Sequence, residues 1–127
     1  MGWLDSVTLS TLNKDLDGLW KRQEVISDNL ANVETPNYNA RVVSFEKELK
    51  AQLDDLNKTK AEKSQGVKDV KIATTVDEST YRLDGSGVDV EEENVEMART
   101  QLNYMYSLRM LSDDFSRLKT AINGQGK

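Results

Sequence analysis

The chain has 127 residues, 22 acidic and 17 basic, for a formal net charge of −5, and it contains no cysteine and no histidine. Those counts exclude disulfides, thiolate chemistry, zinc sites of the usual kind and histidine-based acid–base catalysis, and an acidic chain without a basic patch suits nucleic acid poorly. Leu, Ile, Val and Phe supply about 24% of the residues, a little above the ~20% level where folding becomes doubtful, so a thick private core is not expected.

The first residues, Met1-Gly2-Trp3-Leu4-Asp5, have no basic start followed by an apolar run, so no cleaved secretory signal is expected. No stretch approaches the ~18 apolar residues of a membrane span. From there Leu9, Leu12, Leu16, Leu19, Ile26, Leu30 and Val33 step by 3, 4, 3, 7, 4 and 3. This is a heptad stripe with one polar entry, Gln23, and it predicts a helix over 6–34 capped by Asp5 or Ser6. Trp20 extends the stripe, while Gly18 reads as a blemish costing up to ~1 kcal/mol against alanine. The helix is expected to end near Val33, because Pro36 biases Thr35 away from the α region. Thr35-Pro36-Asn37-Tyr38 then reads as a turn whose third position, Asn37, tolerates φ > 0.

The segment 35–87 reads as an irregular connection. Phe45, Leu49, Leu53 and Leu56 outline a short amphipathic helix, Gly66 breaks the pattern, and Val70, Ile72, Thr74 and Val76 alternate like a short strand. Asp84-Gly85-Ser86-Gly87 reads as a flexible turn. A second long helix is predicted over 88–123, with Tyr104, Leu108, Leu111, Phe115, Leu118 and Ile122 on one stripe that extends back to Met97. A parallel stripe of Val95, Ala98, Leu102 and Met105 makes the first half apolar on two adjoining faces, which calls for more than one neighbour. Asp89 and Glu91 to Glu93 suit the positive end of its dipole, and Gly124 is placed to stop it. The fold class is therefore mainly α: one elongated domain over 1–127, with long terminal helices paired as an antiparallel coiled coil and a middle holding a short helix and a short β element.

Candidate chemistry is sparse. The acidic group at Asp89 and Glu91–Glu93 lacks calcium-loop spacing and reads better as helix capping. Asp84-Gly85-Ser86-Gly87 lacks the third glycine of a phosphate loop, and the adjacent pairs Asp54-Asp55 and Asp113-Asp114 diverge by about 100° on a helix. Met97, Met105 and Met110 suit either a surface packed against non-identical neighbours or an ordinary core. No catalytic residue, cofactor site, metal site or small-molecule substrate is expected.

The run Asp28-Asn29-Leu30-Ala31-Asn32-Val33-Glu34-Thr35-Pro36-Asn37-Tyr38, preceded by Arg22-Gln23, resembles the N-terminal signature of bacterial flagellar rod and hook proteins. Asn29, Leu30, Ala31, Asn32, Thr35, Pro36 and Tyr38 match that signature, and Asn37 stands where the family usually has glycine. Gly87-Val88-Asp89-Val90-Glu91, Met97-Ala98, Gln101 to Tyr104 and Leu111 to Gly124 are similar to the proximal-rod branch of the family, and the chain has no room for a large inserted domain. The resemblance implies a structural, non-enzymatic subunit of the basal-body rod, which assembles helically and transmits torque from motor to hook. It implies a place outside the cytoplasmic membrane, reached through the flagellar type III export apparatus without a cleaved signal. The implied partners are further copies, other rod proteins and the basal-body adaptor protein beneath, with no nucleic acid. The expected assembly interface is Leu9, Leu12, Leu16, Leu19, Ile26 and Leu30 on the first helix. On the second it is Val95, Met97, Leu102, Tyr104, Met105, Leu108, Leu111, Phe115, Leu118 and Ile122. The competing reading is a small acidic coiled-coil adaptor or secretion chaperone.

Overall fold

A computed structural model describes residues 6–78 and 87–125. Its elements in chain order are α1 (Ser6–Ala31), β1 (Arg41–Ser44), α2 (Glu46–Asp54), α3 (Lys60–Asp69), β2 (Ala73–Val76) and α4 (Val90–Gln125). The two long helices pack side by side as expected. Asn29 meets Glu93, Trp20 meets Tyr104 and Asp15 meets Ser107, so α1 and α4 run antiparallel. With 36 residues α4 is about 54 Å long.

The helix ends differ from the expected ones for identifiable reasons. α1 stops at Ala31 rather than 34, because Asn32 turns back on the last turn. Its backbone N–H is shared between the carbonyls of Asp28 and Asn29, and its Nδ2 donates to Asp28 O at 2.8 Å. α4 begins at Val90, where Asp89 Oδ1 accepts the backbone N–H groups of Glu91 (3.1 Å) and Glu92 (3.2 Å), an N-cap that ties down two orphan donors. Gly124 lies inside α4 and does not end it; nothing lies close enough to require a glycine there. The expected caps Asp5 and the turn at 84–86 lie outside the described residues, as does Trp3.

The middle is more ordered than its sequence suggested. The short helix is α2, but Phe45 precedes it and Leu56 lies beyond it, 94% exposed. Gly66 does not break the chain: it lies inside α3, a helix the apolar pattern missed because its buried residues are only Ser64 and Val67. Thr59 caps α3 by accepting from Glu62 N–H. The strand predicted over 70–76 is confined to Ala73–Val76. It pairs antiparallel with β1, a strand with no apolar alternation of its own, in the register Arg41↔Val76 to Ser44↔Ala73. Gly87 returns the chain beside Asn39 in a parallel bridge; a Cβ there would stand 2.2 Å from the Tyr38 carbonyl, so only glycine permits the approach.

The apolar core lies between α1 and this middle, not between the two long helices. It consists of Leu19, Val25, Val43, Phe45, Leu49, Val67 and Val70, with Leu53, Ile72 and Tyr104 against its edge. Gly18 is a core position: the Phe45 ring lies where its Cβ would be. Arg22 covers the other part of that ring at 5.2 Å and forms a two-pronged ion pair with Glu46, Nη1 to Oε2 at 2.7 Å and Nη2 to Oε1 at 2.5 Å. Burial pushes the Glu46 carboxyl up, but Arg22 and two backbone amides outweigh it and hold its pKa below the usual carboxylate value. Farther along α1, Lys14 Nζ donates to the carbonyls of Lys68 and Val70, and Ser10 and Ser64 share a hydrogen bond. The two Lys14 bonds satisfy carbonyls at the C-terminal end of α3. Among the described residues no helix is long and apolar enough to cross a membrane.

Candidate assembly surface

The segment from Asn29 to Tyr38 closes on itself around one buried amide. Asn29 is fully buried and uses both donors and both acceptor positions. Its Nδ2 donates to Arg41 O (2.8 Å) and Glu93 Oε2 (3.1 Å), while its Oδ1 accepts from Arg41 N–H and Tyr38 Oη–H, both at 3.0 Å. One side chain thereby joins α1, the turn, β1 and α4. Thr35 Oγ1 donates to Asn32 Oδ1, and Tyr38 N–H donates to Thr35 O across the turn. Leu30 is half-buried and its carbonyl accepts from Val33 N–H at 3.4 Å, while Ala31 and Pro36 are exposed.

Asn37 sits at φ 63°, the one non-glycine residue with positive φ among those described. Left-handed backbone costs an ordinary L-residue about 1–2 kcal/mol, and a β-branched one is worst placed to adopt it. Asn37→Val is expected to lower the denaturation midpoint by an amount in that range, while Asn37→Gly leaves it unchanged or raises it. Equal midpoints for both variants in a urea titration would show that the turn does not depend on this angle.

Glu93 is buried at the start of α4 with the Asn29 amide against it. Burial raises its pKa above the ordinary glutamate value; the Asn29 hydrogen bond opposes the rise, and the charges of Glu92, Glu96 and Asp77 add to it. A carboxyl whose pKa is higher folded than unfolded binds its proton more tightly in the folded state, so its contribution to stability falls as pH rises from the unfolded value through the folded one. Glu93→Gln keeps an acceptor for Asn29 and removes the charge. Thermal melts are expected to show the variant more stable than the parent at pH 7, with the gap closing toward pH 4. A gap that widens on acidification would refute the assignment.

The face that α4 turns toward α1 is unusual in composition. Its most buried residues are Glu93, Thr100, Ser107 and Asp114, spaced by seven, all polar. Ser107 donates to Asp15 on α1. Met97, Tyr104, Leu111 and Leu118 lie half-buried beside them. The apolar residues Val95, Leu102, Met105, Leu108, Phe115 and Ile122 face outward and are exposed. The expected interface residues thus separate. On α1, Leu12, Leu19 and Ile26 are buried within the chain, and Leu9, Leu16 and Leu30 are half-buried. The apolar surface of the first three packs within the chain, and the other three keep part of theirs open. Trp20 does not join the buried stripe: it is 61% exposed, its ring 6.3 Å from that of Tyr104. Gln23 is half-buried beside Trp20 and Ser27 in a shallow cleft on α1. What sequence reasoning missed is the polar seam, whose heptad carries no apolar signal, and the junction of Glu93 with Asn29.

Paired long helices with a polar contact face and an apolar outward band define a helix-paired structural protein. Residues 19–39 match the family model described as flagella basal body rod protein, which takes in the end of α1 and the Asn29 junction. The flagellar basal body rod protein FlgB of Bacillus subtilis is 33% identical over 126 residues, covering 95% of this chain and 97% of that protein. The proteins of the same description from Borreliella burgdorferi and Escherichia coli are 39% and 34% identical, over 70% and 72% of this chain and 76% and 75% of their own lengths. The chain belongs to the FlgB family of flagellar basal body rod proteins.

Proposed function

We propose that this chain is a structural subunit of the flagellar basal-body rod and that the outward band of α4 is the surface it packs against neighbouring subunits. The observation that carries the reading is that band: Val95, Leu102, Met105, Leu108, Phe115 and Ile122 stand exposed on one helix. Contiguous exposed apolar surface on a soluble fold marks an interaction site. The family membership supplies the rod. Val95, Leu102 and Met105 lie on the side away from α1, and Phe115 and Ile122 lie nearer its edge, so the band meets more than one neighbour. Those neighbours are further copies, other rod proteins and, at the base, the adaptor protein. The chain acts as one elongated unit, without catalysis, and transmits torque rather than converting a substrate. The small core and the polar α1–α4 seam suit export through the type III apparatus, since little apolar surface must be exposed to unfold the chain.

The test is Leu102→Asp combined with Met105→Asp, introduced in place of the native gene. Both side chains are exposed, so the folded chain is expected to melt as the parent does. The cells are expected to lose swimming, with electron cryo-tomography showing motor rings without a rod, as in a deletion strain. Complete rods and normal swimming in the double variant would reject this surface. Complete rods in the deletion strain would reject the rod role itself.

A further inference from the structure

We propose that the end of α4 from one copy docks in the crevice where α1, β1 and the start of α4 meet on the next copy. This rests on the assembly reading above and names the contact that propagates it. The crevice encloses about 310 Å³. Its apolar lining is Val25, Ile26, Val42 and Val43, and its charged lining comprises five carboxylates against three guanidinium groups. Glu92 stands exposed on α4 at this crevice, and Arg41 on its wall keeps a buried Nε with no partner among the described residues.

The opposite end of the molecule is complementary. Phe115 and Ile122 are 51% and 60% exposed. The antiparallel register, with Asp15 beside Ser107, brings Ser6 level with about residue 116, so the last turns of α4 run past the described part of α1. From Phe115 to Gln125 the helix carries Arg117 and Lys119 and no acidic residue. Arg117 is taken up by an ion pair with Asp114, so an apolar pair beside one cation free-standing among the described residues, Lys119, faces outward at one end, and a crevice with four apolar side chains and a net excess of carboxylates opens at the other. The two surfaces lie about 32 Å apart, centre to centre, along α4. They are different patches on the same chain, so their contact is heterologous and extends into an open series instead of closing as a dimer. The crevice also offers its orphaned Arg41 N–H to an acceptor at the arriving helix end, such as the Asn123 amide or the last unpaired carbonyls.

The chain has no cysteine, so introduced thiols report contacts without background. Cells lacking the native gene are made to express Val42→Cys and Ile122→Cys together, and each alone. Basal bodies are isolated and oxidised. The expected result is a disulfide dimer from the mixed strain and none from either single strain. Basal bodies from swimming cells that contain the chain but give no mixed dimer would overturn the crevice contact while leaving the rod reading intact. Ile122→Cys giving dimers alone would also overturn it, because α4 ends would then meet each other. Absence of the chain from basal bodies would remove both readings. As a second arm, Glu92→Lys and Lys119→Glu are each expected to abolish swimming, and the double variant to restore it. Full swimming in either single variant would contradict the charge pairing.

Discussion

Asn29→Ala is expected to lower the folding free energy by about 3 kcal/mol, a large share of what a domain of this size possesses. The alanine removes the Asn29 bonds of four groups at once: the Arg41 N–H and carbonyl, the Glu93 carboxylate and the Tyr38 hydroxyl, which keeps its contact with the Arg41 side chain. Each buried polar group stranded in this way costs roughly 1–3 kcal/mol, reduced where water reaches it, as it does at half-buried Tyr38 and Arg41. Asn29→Asp separates the amide's two roles. It keeps the acceptors for Arg41 and Tyr38, loses both donations and sets a second carboxylate against Glu93. That variant is expected to be weakest at neutral pH and to recover as pH falls and one of the two carboxyls takes up a proton. Combining Asn29→Asp with Glu93→Gln returns a donor to the pair and is expected to recover part of the loss at pH 7. Denaturant titrations of the four proteins close the double-mutant cycle. A double variant whose stability change equals the sum of the two single changes would mean that Asn29 and Glu93 do not act on each other.

This junction shows which part of the fold the sequence made legible. The two long helices followed from stripes of leucine at steps of three and four, and their antiparallel return followed from chain length. The turn followed from Thr35-Pro36-Asn37, because proline and a residue tolerant of positive φ restrict the backbone locally. The polar seam did not follow. Glu93, Thr100, Ser107 and Asp114 repeat every seven residues, but an apolar count assigns such residues to solvent. Glu93 and Ser107 can occupy the seam because Asn29 and Asp15 on α1 hydrogen-bond with them there, and that pairing is long-range information. The same shortfall hid β1 and α3: four and ten residues with only one and two buried side chains carry too little periodicity to stand out. On the candidate surface, the apolar residues of α4 were legible as a set. Which of them face α1 and which face outward was not, since Leu111 and Phe115 fall on the same stripe and yet differ in exposure.

Gly18→Ala is expected to destabilise the chain by about 2 kcal/mol, opposite in sign to what its helical position alone would predict. In an exposed helix interior, glycine to alanine gains up to ~1 kcal/mol. Here the added Cβ would stand 2.2 Å from Phe45 Cε1, 2.3 Å from Cζ and 2.6 Å from Cδ1. The ring cannot yield easily: it is 1% exposed, packed within the core, and faced by the Arg22 guanidinium that Glu46 holds in place. Overpacking of this kind typically costs 1–3 kcal/mol, which exceeds the propensity gain, and Gly18→Val is expected to cost more. Phe45→Leu supplies the compensating test, since leucine lacks the Cε1 and Cζ atoms that the new methyl would strike. Gly18→Ala is expected to be far better tolerated in the Phe45→Leu background than in the parent, which chemical denaturation of the single and double variants reads directly. Equal losses in both backgrounds would locate the cost of alanine elsewhere than at the ring. The same contact explains why the middle segment is held to α1 at all: the absence of a side chain at 18 makes the socket into which Phe45, at the junction of β1 and α2, inserts. The sequence shows only a weak point in a helix there, because the residue that fills the gap lies 27 positions away.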